Sequence, residues 1–132
     1  MSIFAELLTV AKLIDNYDID ATGGGLWAST TTYKATVPVG KRWFFIGGTV
    51  NRTVSATLQA QINNAADKLI MYLGYASAAT GKTAYPNTVE SGTSMCPPGF
   101  VPMDVGMYVL VTFGAAQNAS AEASCLVLEV DV

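Results

Sequence analysis

Hydrophobic and polar positions alternate most clearly over residues 37–62, which read VPVGKRWFFIGGTVNRTVSATLQAQI. Val54, Ala56, Leu58, Ala60 and Ile62 fall on one side, with Thr53, Ser55, Thr57, Gln59 and Gln61 on the other. Successive strand side chains point to opposite faces, so this run predicts a strand with one dry face and one wet face. Just upstream, Trp43 and Phe45 oppose Arg42 and Phe44, which predicts a strand over 42–46. Gly47-Gly48 marks a bulge or a close backbone approach. Asn51-Arg52 is expected to turn the chain into the second strand. On this reading the stretch is a hairpin, and its wet Thr, Ser and Gln face carries no charge.

The same periodicity extends along the chain. Tyr33, Ala35 and Val37 alternate with Thr32, Lys34 and Thr36, predicting a strand that ends at the Pro38-Val39-Gly40 turn. A loop over 63–67 precedes a strand over 68–75. Residues 77–102 are the loosest region, read equally as holding a short strand near 83–85 or as a long surface loop. Asp104-Val105-Gly106 turns into a strand over 107–113, and 114–118 read as a small-residue hairpin loop. Residues 121–132 close the chain with Leu126, Leu128, Val130 and Val132 on one face. Only residues 2–14 read as helix. Ser2 can cap it, and Ile3, Leu7, Val10 and Ile14 share a face, with Phe4, Leu8 and Ala11 beside them. So short a helix is marginal unless it docks on something, and Gly23-Gly24-Gly25 tethers it like an arm. The expected architecture is all-β: an antiparallel, jelly-roll-like β-sandwich of about seven to eight strands with one short N-terminal helix or arm. Residues 1–25 form the arm, and 26–132 the sandwich domain.

Composition turns this fold towards assembly. A chain of 132 residues makes one domain. Its charged fraction of 13% is about half that of an ordinary soluble domain. Such a domain exposes much neutral surface, which neighbouring subunits would cover, so a homo-oligomer is expected. The net charge of −3 argues against a nucleic-acid-binding surface. No apolar run approaches the ~18 residues of a membrane span. Charge is also unevenly placed. Lys41, Arg42, Arg52, Lys68 and Lys82 crowd residues 41–82, whereas 83–132 contain only Glu90, Asp104, Glu122, Glu129 and Asp131. Lys41, Arg42 and Arg52 are therefore a candidate contact edge for the acidic C-terminal third, within one domain or between subunits. Pairing within the domain is the simpler reading.

Motifs that promise chemistry do not hold up. Residues 76–83, ASAATGKT, match a relaxed phosphate-binding loop. Such a loop must open a helix facing the anion, and Ala84-Tyr85-Pro86 follows instead. Asn16, Asp18 and Asp20 begin a calcium loop, but Ala21 stands where its glycine belongs and Trp27 where its bidentate glutamate belongs. With no histidine in the chain, Ser/His/Asp and Cys/His catalysis and histidine-ligated metal are excluded. No enzyme activity, cofactor or metal is expected. Residues 1–14 lack the basic start of an export signal, so Cys96 and Cys125 are expected to stay reduced. Trp27, Tyr33, Trp43, Tyr72, Tyr75, Tyr85 and Tyr108 offer a sugar-stacking platform. The competing reading makes Trp43 and Phe45 core, with the tyrosines around its rim.

The run V-P-V-G-K-R-W-F-F-I-G-G-T-V-N-R, the D-V-G-M-Y-V-L-V-T-F turn and strand, and the closing hydrophobic strand resemble small β-sandwich virion proteins of tailed bacteriophages. The capsid decoration, or cement, proteins are the nearest kind. The resemblance spans roughly residues 33–132 and is carried by turn and strand motifs common to many jelly rolls. It implies a β-sandwich, commonly trimeric, made in the host cytoplasm and placed on the capsid surface. Its partners would be further copies of itself and a major capsid protein, with no nucleic acid and no membrane. An N-terminal arm that reaches a neighbour is also implied, and here Ile3, Phe4, Leu7, Leu8, Ala11 and Ile14 would supply the contacts. The alternative from a different class is a carbohydrate- or receptor-binding sandwich that uses its aromatics.

Overall fold

A computed structural model describes residues 11–14, 30–87, 101–117 and 121–132. These residues form seven antiparallel strands: β1 (Ala11–Ile14), β2 (Thr30–Thr36), β3 (Lys41–Asn63), β4 (Leu69–Tyr85), β5 (Val101–Met103), β6 (Tyr108–Gln117) and β7 (Glu122–Asp131). The strand order is β1-β7-β3-β6-β2, with β4 and β5 also paired to β3. The all-β, antiparallel, jelly-roll-like sandwich expected from the alternation is the fold. There is no helix among the described residues. Residues 11–14, expected to end a helix, form β1 and pair with β7, from Ala11 opposite Leu128 to Ile14 opposite Cys125. An open strand edge satisfies the backbone of a short apolar segment that a marginal helix would leave half-satisfied.

β3 runs through both layers of the sandwich. Its first half pairs with β7, from Lys41 opposite Asp131 to Asn51 opposite Glu122. Its second half pairs with β6, from Leu58 opposite Phe113 to Asn63 opposite Tyr108. β4 follows β3 along its other side across both halves. The layers then face each other, so that the Tyr33 hydroxyl of β2 lies 3.5 Å from Cys125 Sγ of β7. Cys125 is a buried thiol, and Cys96 lies outside the described residues.

The turn expected at Asn51-Arg52 is instead a corner within one continuous strand. Between Arg52 opposite Gly81 and Ala56 opposite Ala79, three residues of β3 face a single residue of β4. A strand that passes between layers needs such a bulge, and its backbone groups lose their ladder partners there. Two buried side chains replace those partners. Gln117 Oε1 accepts from the N–H groups of Thr53 (3.0 Å) and Val54 (3.1 Å), and its Nε2 donates to the carbonyls of Val54 (3.0 Å) and Ala115 (3.2 Å). On the other side, the Arg52 guanidinium donates to the carbonyls of Ala56 and Ser77 and to Thr83 Oγ1.

Three further differences follow from this geometry. β4 continues as strand through Tyr85 where a loose region was expected after 77, because β3 is long enough to pair with it. Likewise β6 continues to Gln117, because Gln117 is needed at the corner. On β7 the core face is Ala123, Cys125 and Val127 rather than Leu126, Leu128, Val130 and Val132. Only Leu128 of that second set is buried. Both faces of β7 read as apolar, and the smaller side chains turn inward where the Tyr33 and Tyr85 rings already fill the space. The Tyr85 ring stacks on Phe45 at 6.0 Å and crosses Gly48 so that its hydroxyl donates to the Ser124 carbonyl at 2.6 Å. A Cβ on Gly48 would overlap both that ring and that carbonyl. The close approach expected at Gly47-Gly48 is real, and a register shift lies between Phe45 and Gly47.

Gln117→Leu keeps the volume but removes the partner of two amide N–H groups and two carbonyls at the part-buried corner. It is expected to cost about 2–4 kcal/mol, read as a lower urea midpoint, whereas Gln59→Ala on the surface should change stability by less than about 0.5 kcal/mol. Equal midpoints for the two variants would show that the corner does not depend on Gln117.

Candidate contact surfaces

The predicted contact edge is closed within the chain. Lys41 pairs with Asp131, and Arg42 pairs with Asp104 through Nε and Nη2, each at 2.9 Å. Arg52 does not belong to that edge. Only 5% of it is exposed, it holds the corner through neutral acceptors, and its Nε has no partner among the described residues. Burial lowers its pKa, although a guanidinium stays charged. Of the predicted arm residues, Ala11 and Ile14 lie in β1, and Ile3, Phe4, Leu7 and Leu8 lie outside the described residues. Residues 76–83, the phosphate-loop look-alike, lie within β4, with Gly81 and Lys82 opposite Arg52 and Asn51.

Most of the aromatic platform is core. Trp43, Phe45, Tyr33, Tyr85 and Tyr108 are all buried. Tyrosines expected at the rim are thus inside it, because each buried hydroxyl finds a protein partner. Tyr85 donates to Ser124, Tyr33 reaches Cys125, and Tyr108 donates to Asp67 Oδ1 at 2.8 Å. Burial pushes the Tyr85 phenol well above its ordinary pKa. Trp43 Nε1 donates to Glu129 Oε2 at 2.8 Å. Trp27 lies outside the described residues.

Two surfaces remain. The first is an apolar end. Among the described residues, Val39, Leu69, Ile70, Val105 and Val132 are large and exposed, with Val39 at 89% and Val132 at 72%. The turns bring them to one end. Val132 N–H donates to the Gly40 carbonyl, Gly106 N–H to the Val37 carbonyl, and Gly106 sits against Ala65, in the turn that leads to Leu69. The Lys41–Asp131 and Arg42–Asp104 pairs flank this end and cancel their own charge.

The second is the outer face of the layer built from β4, the second half of β3, β6 and β2. Directly opposed residues share a face. Tyr75, Gln59, Thr112 and Thr32 therefore form one row, and Tyr72, Gln61, Leu110 and Lys34 the next. Tyr72 and Tyr75 are three residues apart and ought to point to opposite faces. They share one because the register skips between Ala60, opposite Gly74, and Gln61, opposite Tyr72, leaving Leu73 as an extra, buried residue. Asn87 secures this bulge. Its N–H donates to the Leu73 carbonyl, and its Oδ1 accepts from Tyr75 N–H. Gly74 has φ +147°, and a Cβ there would overlap the Asn87 side chain. The two phenols are electrostatic neighbours: burial, then Tyr75, raises the Tyr72 pKa. Beside them the amides are linked in sequence. Gln59 Nε2 donates to Gln61 Oε1 (3.1 Å), Gln61 Nε2 to Asn63 Oδ1 (2.7 Å), and Asn63 Nδ2 to the Tyr108 hydroxyl (3.0 Å). Sequence alternation identified the glutamines. Tyr72 and Tyr75 were named in the aromatic platform, but that they share a face was missed, and Gly74 within a strand was the available signal.

No protein-family model matches the chain, and no curated protein is detectably similar to it. Among solved structures it is similar to a virus-like particle of the giant freshwater prawn Macrobrachium rosenbergii extra small virus, with 10% identity over 89% of this chain and 75% of that one and a TM-score of 0.41. It is also similar to a CBM4 structure, with 15% identity over 91% of this chain and 94% of that one and a TM-score of 0.32. A family 6 carbohydrate-binding module shows 12% identity over 94% and 84% of the two chains, with a TM-score of 0.30.

The hydrogen bond and charge of Lys41 hold the Asp131 carboxyl below its ordinary pKa, and the same pair raises that of Lys41. Asp131's contribution to stability is thus present above the unfolded carboxylate pKa and is lost as pH falls through the lowered one. That of Lys41 is present below its unfolded pKa and is lost as pH rises through the raised one. An NMR titration should place the Asp131 midpoint below the ordinary aspartate value and return it there in Lys41→Met. An identical midpoint in both proteins would show that the pair does not form in solution.

Proposed function

We propose that this chain is a structural virion protein, and specifically a capsid decoration or cement protein that stabilises a phage head through subunit contacts. The observation that carries the reading is the apolar end. Val39, Val105, Val132, Leu69 and Ile70 are all exposed, and Lys41 and Arg42 beside them are paired with Asp131 and Asp104. Concentrated apolar surface of this kind marks a protein contact. Because the flanking charges are internally balanced, a partner can meet this end without having to neutralise it. In this role the protein is not an enzyme and uses no cofactor. It acts with further copies of itself, as a trimer on the strength of the decoration-protein resemblance, and with a major capsid protein at the virion surface.

A second reading, carbohydrate binding, is favoured by one observation, the paired Tyr72 and Tyr75 beside the amide row. Tyr85 is buried and supplies no platform.

Light-scattering mass across a dilution series tests the first reading. The wild-type chain should hold a constant oligomeric mass at micromolar concentration. Val39→Asp with Val105→Asp, both in exposed turns, should shift it towards monomer while the circular dichroism melt stays within a few degrees. A wild-type monomer at every concentration would sink the subunit reading.

A further inference from the structure

We infer that the outer face formed by Gln59, Gln61, Tyr72 and Tyr75 is a binding site for a neutral oligosaccharide. This deepens the carbohydrate reading and rests on it. It is independent of the apolar end, which lies at the turns rather than on this face.

The argument begins with unused hydrogen-bonding capacity. An amide side chain has two N–H donors and a carbonyl with two lone pairs. Along the row Gln59 to Gln61 to Asn63, each amide spends one N–H on its neighbour. The second N–H of Gln59 and of Gln61, and Gln59 Oε1, have no protein partner among the described residues. Nor do the hydroxyls of Tyr72 and Tyr75. The two glutamine amides are held in place by the bonds they do make, so a ligand would not have to order them first. An apolar partner covering this face would strand every one of them at a cost. A ligand rich in hydroxyls, each able to donate and accept, satisfies them.

The two phenol rings supply the other half of sugar recognition, flat apolar surface for the C–H faces of a pyranose. The Leu73 bulge puts both rings on the amide side of the sheet, each directly opposite a glutamine: Tyr75 opposite Gln59, and Tyr72 opposite Gln61. Every ring is therefore paired with an amide, and the pair repeats one step along the strand. Aromatic lining with a few placed polar groups is the general form of a small-ligand site.

Charge selects the class. The only ion on these rows is Lys34, whose ammonium sits 4.2 Å from the centre of the Tyr108 ring. With that cation already engaged, the face offers little to a phosphate backbone or an acidic glycan. A neutral glycan is the chemistry that fits.

Affinity electrophoresis of the full chain in gels containing laminarin, mannan, xylan or dextran, with alginate as the acidic comparison, tests the assignment. At least one neutral polysaccharide should retard the protein, and alginate should not. Tyr72→Ala and Tyr75→Ala should each weaken retardation at least tenfold. Gln59→Ala, at an exposed position that leaves the fold intact, should weaken it several-fold, and Val39→Asp at the apolar end should leave it unchanged. Lack of retardation by every neutral polysaccharide overturns the proposal, as does undiminished retardation of the Gln59 and Tyr75 variants. A drop in oligomeric mass caused by Tyr75→Ala would also overturn it, by making this face a subunit interface. The wild-type mass reports on the subunit reading separately, so either proposal can fail alone.

Discussion

A strand of 23 residues can serve two layers only if the backbone groups at its bend find partners, and the architecture of this protein depends on how that is done. At the corner between Arg52 and Ala56 the ladder is broken, and a buried amide or carbonyl left unpaired costs about as much as several ordinary hydrogen bonds contribute. Gln117 acts there as a short piece of strand, with one acceptor for two N–H groups and a donor for two carbonyls. Arg52 closes the opposite side through Ala56, Ser77 and Thr83. The two layers, the long β4 and the length of β6 all follow from that corner.

The corner also explains how the few charges are used. Arg52 is taken into the interior, while Lys41 and Arg42 are engaged by acidic residues of the C-terminal third. What is left for recognition is largely neutral: an apolar end at the turns, and an amide and phenol face on one layer. Among the register shifts of the described strands, those at Gly47, at Arg52–Ala56 and at Leu73 shape this molecule. Each redirects side chains where the chain has to bend, pack closely or present a face.

Much of the fold was legible because strand periodicity is local. The dry face of Ala56, Leu58, Ala60 and Ile62, the core roles of Trp43 and Phe45, and the turns at Pro38-Val39-Gly40 and Asp104-Val105-Gly106 could all be read from neighbouring residues. The failures share one cause. Asn51-Arg52 looks like a turn, residues 77–85 look loose, and β7 presents apolar residues on both faces. In each case the outcome depended on a partner distant in sequence. That Tyr72 and Tyr75 share a face was missed for the same reason, since a single inserted residue inverts side-chain direction and strict alternation cannot register it.

The 37–62 stretch separates the two kinds of information most clearly. By itself the sequence determined that this stretch is β, that Ala56, Leu58, Ala60 and Ile62 face inward (Val54, expected with them, is only half-buried in the bulge), that Gly47-Gly48 is a bulge or a close approach, and that the wet face is uncharged. Those properties depend on alternation and side-chain size within a few residues. Only the tertiary structure decided that it is one bent strand rather than a hairpin, and that Arg52 is an internal staple rather than a contact. Only it placed Gln59 and Gln61 beside Tyr75 and Tyr72. These outcomes were decided by strand and hydrogen-bond partners from 11 to 64 residues away, and local periodicity carries no record of them.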